Sequence, residues 1–310
     1  MDKTELTLVL PGLAVILEQN INASIIPKYL AKIIAKGQFQ KDSIGLSRSL
    51  FNHFSTEPFT ATDLPIVDLA TGKSQTLRAD PCYLHADRDR LLLFSDNVDL
   101  RKEESTALIA EIQPLFDDFG GILSQSSNNE WLLDMQALPE LSFTALPEVS
   151  GKGIDGYLPQ GNDQQDWIRL WNEVQMKLYG SEVNQRRIED NKLPINSVWF
   201  WGGGQFKAKT SPYLQVQGRS RLLTLLADKT DTPLIKNSDF SIMSLHSGKH
   251  LWLAEQLDIE NDWLSQIETF DTQVLKPLWQ QCLRGKLTIA VELPDHGRYT
   301  LSALDCWKFW

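Results

Sequence analysis

The chain has 310 residues, with 40 acidic and 30 basic side chains, a formal net charge of −10, 42% hydrophobic residues and 23% charged residues. That length suits one large or two packed domains with a buried core, and the composition excludes disordered and fibrous classes. The basic residues are scattered among carboxylates, which excludes a stripe able to displace counterions from nucleic acid or hold an anionic membrane.

Leu6–Leu10 reads as a buried strand ending in a Pro11-Gly12 turn. The apolar run Leu6–Leu17 has the length of a signal-peptide core, but Asp2 and Glu5 flank it and Pro11-Gly12 interrupts it, so the strand is the expectation. No run reaches the ~20 apolar residues of a membrane span. Ile25–Ile34 has helical spacing with Pro27 at its start, and Ser43–Phe54 reads as a second short helix. Thr76–Phe94 predicts strand, turn, strand around Asp87-Arg88-Asp89-Arg90. Glu103–Phe119 is an amphipathic helix carrying Pro114 and closed by Gly120-Gly121. Gly121–Gln125 and Trp131–Asp134 read as a hairpin with its turn at Ser126–Asn129.

Ala145–Gly161 is rich in proline and glycine and reads as a linker between an N-terminal α/β part, 1–144, and a C-terminal α/β part, 162–310. Every tryptophan except Trp131 lies beyond it, which makes the second half the expected place for a shaped site. There, Gln164–Tyr179 predicts a helix with Asp163 as cap and Asp166 in the first turn. Ile195–Trp201 predicts a buried strand, Ser220–Asp228 and Asp262–Leu283 predict helices, and Lys286–Leu293 with Arg298–Leu304 predicts a terminal hairpin. The alternation favours an α/β fold, a mixed sheet covered by helices with a C-terminal hairpin.

Candidate functional residues concentrate in one stretch. On the Gln164–Tyr179 helix, Trp167, Trp171, Val174 and Leu178 form a core stripe, with Asn172 and Gln175 at its edge. Those amides either satisfy backbone or read a ligand's hydroxyls. Asn184, Arg187 and Asn196 follow, then Trp199 and Trp201 on one strand face, then Gly202-Gly203-Gly204. Three glycines at a strand end allow either a tight turn or close approach to a ligand. A phosphate-cradling loop needs Gly-Lys-Ser/Thr, and Gln205-Phe206-Lys207 stands there instead. Arg187 is suited to a carboxylate or phosphate. Arg78 and Asp80, with His85, Asp87, Arg88 and Asp89, form either a proton-transfer pair or a salt-bridged corner. Asp295-His296-Gly297 is either a metal-ligand pair or a hairpin turn, and His246 and His250 have the spacing of one helix face.

The run from Trp167 to Gly204, through Asn172-Glu173-Val174-Gln175-Met176, Asn184, Arg187 and Pro194 to Gly204, resembles the RpfE-type regulatory protein family of bacteria. The segments Leu77–Pro81, Asp87–Leu91, Leu10-Pro11-Gly12 and Trp307-Lys308-Phe309-Trp310 share the resemblance, which therefore covers most of the chain. Members of that family are sometimes labelled cofactor-independent phosphoglycerate mutase-like. That label implies an alkaline-phosphatase-type α/β core, two metal ions, a Ser or Thr nucleophile, and Asp and His ligands.

The main expectation is a cytoplasmic regulatory-type protein that binds a small polar or phosphorylated ligand and no nucleic acid or membrane. The alternatives are a metal-dependent phosphoryl-transfer enzyme and an assembly protein. No motif names a cofactor. Cys82, Cys282 and Cys306 are too few and too far apart for a disulfide framework or a paired metal site.

Overall fold

The computed structural model describes residues 3–19, 26–59, 62–95, 98–236, 245–254 and 263–307. Expectations that fall on Asp2, Ile25, Asp262 and the terminal Lys308-Phe309-Trp310 lie outside the described residues. In chain order the strands are β1 (Thr4–Val9), β2 (Gln38–Lys41), β3 (Thr76–Asp87), β4 (Arg90–Phe94), β5 (Ile122–Ser127), β6 (Glu130–Asp134), β7 (Leu141–Ser142), β8 (Gln160–Gly161), β9 (Ser197–Trp201), β10 (Gln215–Gln217), β11 (Leu234–Ile235), β12 (Gly248–Leu253), β13 (Leu287–Leu293) and β14 (Gly297–Leu301). The helices are α1 (Leu13–Gln19), α2 (Lys28–Lys36), α3 (Leu46–Phe54), α4 (Ile66–Thr71), α5 (Lys102–Asp117), α6 (Leu146–Val149), α7 (Gln164–Tyr179), α8 (Glu182–Glu189), α9 (Arg221–Lys229), α10 (Trp263–Phe270), α11 (Lys276–Leu283) and α12 (Ala303–Cys306). None of them is long and apolar enough to cross a membrane.

The chain divides into two units, Met1–Glu57 with Ala208–Trp310, and Pro58–Lys207. The first is built on a sheet of order β11-β10-β12-β1-β13-β14-β2. From β11 to β13 the neighbours are parallel, and β14 runs antiparallel to both β13 and β2. Parallel strands need helical crossovers, so they are buried on both faces and read as apolar runs. Leu6, Leu8, Ile289, Val291 and Leu293 accordingly join Leu30, Ile33, Leu275, Leu278 and Cys282 in one core.

The single helix expected over 262–283 is instead α10, a π-helical stretch Asp271–Leu275, and α11. Among the described residues, the wider turn aims the buried Asp271 carboxylate at the start of α2, where it accepts the N–H groups of Tyr29 and Leu30. The terminal hairpin β13–β14 forms as expected, but its second strand ends at Leu301. Ser302 then starts α12, because its N–H and hydroxyl both donate to Asp305 in a Ser-x-x-Asp capping box.

The second unit holds an antiparallel sheet, β4-β3-β6-β5, with β9 paired to β3. The long β3 changes partners along its length: Thr76–Arg78 pairs with β6, Arg78–Cys82 with β9, and Tyr83–Asp87 with β4. All five residues of β9 are buried, as its bulky faces implied. Trp167 lies across Phe200 at 5.0 Å, and the Trp171 indole donates to the Val198 carbonyl at 2.9 Å. Ala145–Gly161 lies inside this unit. Ala145, Val149 and Ile154 are buried, and the Leu93 and Ile154 N–H groups bond Lys152 and Leu91 carbonyls. Pro147 sits at the start of α6, and Gly151 and Gly153 lie against β4, the Gly151 N–H bonding the Leu93 carbonyl. Within the first unit, Ser55 and Ala208 form an antiparallel bridge, and the Lys209 N–H donates to the Phe54 carbonyl at 2.9 Å.

Candidate active site

The amides and guanidinium singled out from the sequence are held by the protein's own backbone. Asn184 donates to the Leu178 and Ile195 carbonyls and accepts the Ile195 N–H, tying the end of α7 to the approach of β9. Asn196 accepts the Leu84 N–H and donates to the Leu84 carbonyl, extending the β3–β9 pairing through a side chain. Arg187, 1% exposed, donates to the carbonyls of Leu193, Asp99 and Val98 and to Glu104 at 3.0 Å. Asn172 is exposed, and Gln175 reaches only the Trp171 carbonyl, at 3.5 Å. The Trp199 indole bonds the Thr144 carbonyl.

Arg78, Asp80, Trp201 and Gly202 do come together. Asp80 accepts Arg78 Nε at 2.8 Å and the Trp201 indole at 2.7 Å, while Glu130 takes the far side of the guanidinium. Burial pushes the Asp80 carboxyl up to about 6, against the pull of Arg78 and Trp201. Gly202, at φ +84°, has its N–H bonded by Asp63, and a Cβ there would lie 2.7 Å from Ile66. A Cβ on Gly203 would meet Leu77 at 2.5 Å, whereas Gly204 faces open space. These contacts leave no room for a side chain at Gly202 or Gly203. Arg187 and Arg78 have no partner in common among the described residues.

His250 lies on β12 and its Nε2 bonds the carbonyl of His246, which precedes the strand, so the helix-face reading of that pair is corrected. Asp295, at φ +67°, and Gly297 make the β13–β14 turn, and His296 bonds the Tyr299 hydroxyl. Among the described residues no three His, Cys, Asp or Glu side chains could hold a metal ion. The groups described therefore do not fit the two-metal centre that the mutase-like label implies.

A different constellation lies in the first unit. On α3, Leu50, Phe51 and Phe54 turn inward, and Ser49 and His53, four residues apart, share another face. Both reach Glu292 Oε2, Ser49 Oγ at 3.1 Å and His53 Nε2 at 2.9 Å. Arg298 Nη1 binds Oε1 of the same carboxylate at 3.1 Å. The Tyr213 hydroxyl lies 2.6 Å from His53 Nδ1. Burial alone would raise Glu292, but the hydrogen bond and charge of His53, then the positive charge of Arg298 and the bond from Ser49, outweigh it, so its carboxyl is held below the usual range. Glu292 pairs with Val9 near the carboxyl ends of β13 and β1, the edge where open α/β sheets place ligands. Ser49, Asn52, His53, Glu292 and Arg298, with Gln40 and Asp42, line a cleft of about 250 Å³.

Sequence reasoning missed this cluster because Ser49 and His53 look like the solvated face of a short helix. The available signal was Glu292, a lone carboxylate inside the apolar run Leu287–Leu293.

No family model matches the chain. Over 80 residues, 26% of its length, it is 32% identical to a 2,3-bisphosphoglycerate-independent phosphoglycerate mutase of Methanosarcina mazei. Over 65 residues it is 38% identical to a probable enzyme of the same name from Geobacter sulfurreducens. These matches span 20% and 16% of the two relatives. Among solved structures, the cofactor-independent phosphoglycerate mutase of Thermoplasma acidophilum aligns with 97% of this chain and 90% of its own, at TM-score 0.45 and 12% identity. The PH0037 protein of Pyrococcus horikoshii aligns with 97% of this chain and 88% of its own, at TM-score 0.48 and 12% identity. The likeness found is to phosphoglycerate mutases, and it lends no support to the RpfE-type resemblance. Local matches to proteins named as enzymes overturn the expectation of a regulatory-type binding protein.

Proposed function

We propose that the chain is an enzyme of phosphoryl-group chemistry, akin to phosphoglycerate mutases, acting on a small phosphorylated substrate in the Ser49–His53–Glu292–Arg298 cleft. The observation that carries this reading is the convergence of hydroxyl, imidazole, carboxylate and guanidinium at the carboxyl edge of the parallel strands. The local identity to named mutases supports it. A volume of about 250 Å³ suits a small metabolite. Arg298, tied to Glu292 through Nη1, can offer its remaining donors to a phosphate, and Glu292 can accept a substrate hydroxyl. The residues described thus bind and orient the substrate. We read the compartment as the cytoplasm, because three buried free thiols suit a reducing environment.

Turnover of 3-phosphoglycerate, as mutase and as phosphatase, tests the proposal when assayed with magnesium, manganese and zinc in turn and with chelator. Arg298→Ala and His53→Ala should each lower kcat/KM by about 10²–10³, the usual loss of a group stabilising transition-state charge. Absence of turnover in every metal condition, or full activity in Arg298→Ala, refutes it.

A further inference from the structure

Both ring nitrogens of His53 are occupied. Nε2 faces Glu292 Oε2 at 2.9 Å, and Nδ1 faces the Tyr213 hydroxyl at 2.6 Å. An ionised carboxylate can only accept, so Nε2 carries a proton. Burial and the charge of Glu292 hold the Tyr213 phenol above its ordinary range, so it keeps its own proton and can donate to Nδ1 whenever that nitrogen is unprotonated. The Thr7 hydroxyl bonds the same phenol.

We infer that Glu292 and Tyr213 are positioning residues that fix His53 as its Nε2–H tautomer on the cleft wall and let the ring take up a second proton without moving. When that proton arrives at Nδ1, the new N–H donates to the Tyr213 oxygen, and the phenol turns its own O–H toward Thr7. No heavy-atom contact breaks in the exchange. The charged and polar groups around the ring are Glu292 from β13, Arg298 from β14, Tyr213 from the segment before β10, and Ser49 from its own helix. Lys209 bonds the Asn52 carbonyl next door. Ser49 donates to the same Glu292 oxygen as His53, which links the relay to the cleft. The inference rests on the cleft being the reactive site. It assigns a role there to Tyr213, which does not line the cleft.

The test is ¹⁵N-edited NMR of the five histidine rings in the full chain, with His53 assigned by loss of its signals in His53→Gln. In the native protein the neutral ring should show a protonated Nε2 and an Nδ1 shifted as a hydrogen-bond acceptor. Glu292→Gln should raise the Nδ1–H form about tenfold, the weight of one charge-assisted bond. Tyr213→Phe keeps the ring that packs on Phe54 and should move the Nδ1 resonance to that of a nitrogen without a donor. A native ring dominated by Nδ1–H, or a Tyr213→Phe spectrum that superimposes on the native one, overturns the inference. If Glu292→Gln does not fold, Tyr213→Phe decides alone. The readout needs no turnover, so failure of the phosphoryl-transfer reading and failure of the relay are told apart.

Discussion

Replacing Arg187 with methionine removes a buried charge while keeping most of its volume. The guanidinium is 1% exposed and bonds Glu104, itself 7% exposed, together with the carbonyls of Val98, Asp99 and Leu193. Hydrogen bonds to charged donors contribute about 1.5–3 kcal/mol each. Breaking a buried ion pair by removing one partner costs about 3–5 kcal/mol. The two figures describe the same guanidinium and overlap, and Arg101 still bonds Glu104, so the expected loss is about 3–5 kcal/mol. Arg187→Lys keeps the charge without the planar fork and should fall between native and methionine. Native-state hydrogen exchange through α8 and residues 193–195 reads the change locally, and urea denaturation reads it globally. A methionine variant within about 1 kcal/mol of native, or a lysine variant equal to arginine, would refute the view of Arg187 as a structural clamp.

Asp80 gives a pH-dependent test. Its carboxyl moves from 3.8 to about 6 on folding, chiefly through burial, so the folded state binds a proton that the unfolded chain releases. The stability this confers is fully present below about pH 4 and is lost as pH rises through about 6, a change of about 3 kcal/mol. Asp80→Asn should flatten that part of the stability profile in urea titrations between those pH values, and parallel curves would count against the assignment. The thiols give a second test. Burial pushes Cys282 up to about 12, and Cys82, fully buried beside Asp80, higher still. Neither should react with a thiol reagent at mildly alkaline pH until the chain unfolds, and prompt labelling of either would contradict the packing.

Local periodicity carried most of the elements. The strand at Leu6, the 76–94 strand pair, the 121–134 hairpin, the helix with Trp167 and Trp171, and the terminal hairpin were all legible. Their apolar residues recur at the spacing of the faces they bury. The π-helical interruption at Asp271 was not legible, because its cause is the α2 terminus about 240 residues away. The backbone partners of Asn184, Arg187 and Asn196 were hidden for a related reason. Amides and guanidinium look alike in sequence whether they meet a ligand or a backbone carbonyl, and only their long-range partners distinguish the cases. The cleft residues were hidden by dispersion: Ser49 and His53 come from one end of the chain, and Tyr213, Glu292 and Arg298 from the other.

The Ser55–Ala208 bridge brings the two ends of a 150-residue excursion, Pro58–Lys207, to adjoining positions. A detour that leaves and re-enters at one doorway adds little closure entropy to its host, since that cost grows only slowly with loop length. The expected consequence is that a short turn in place of residues 58–207 leaves the parallel strands in register, which urea denaturation of the shortened chain would check.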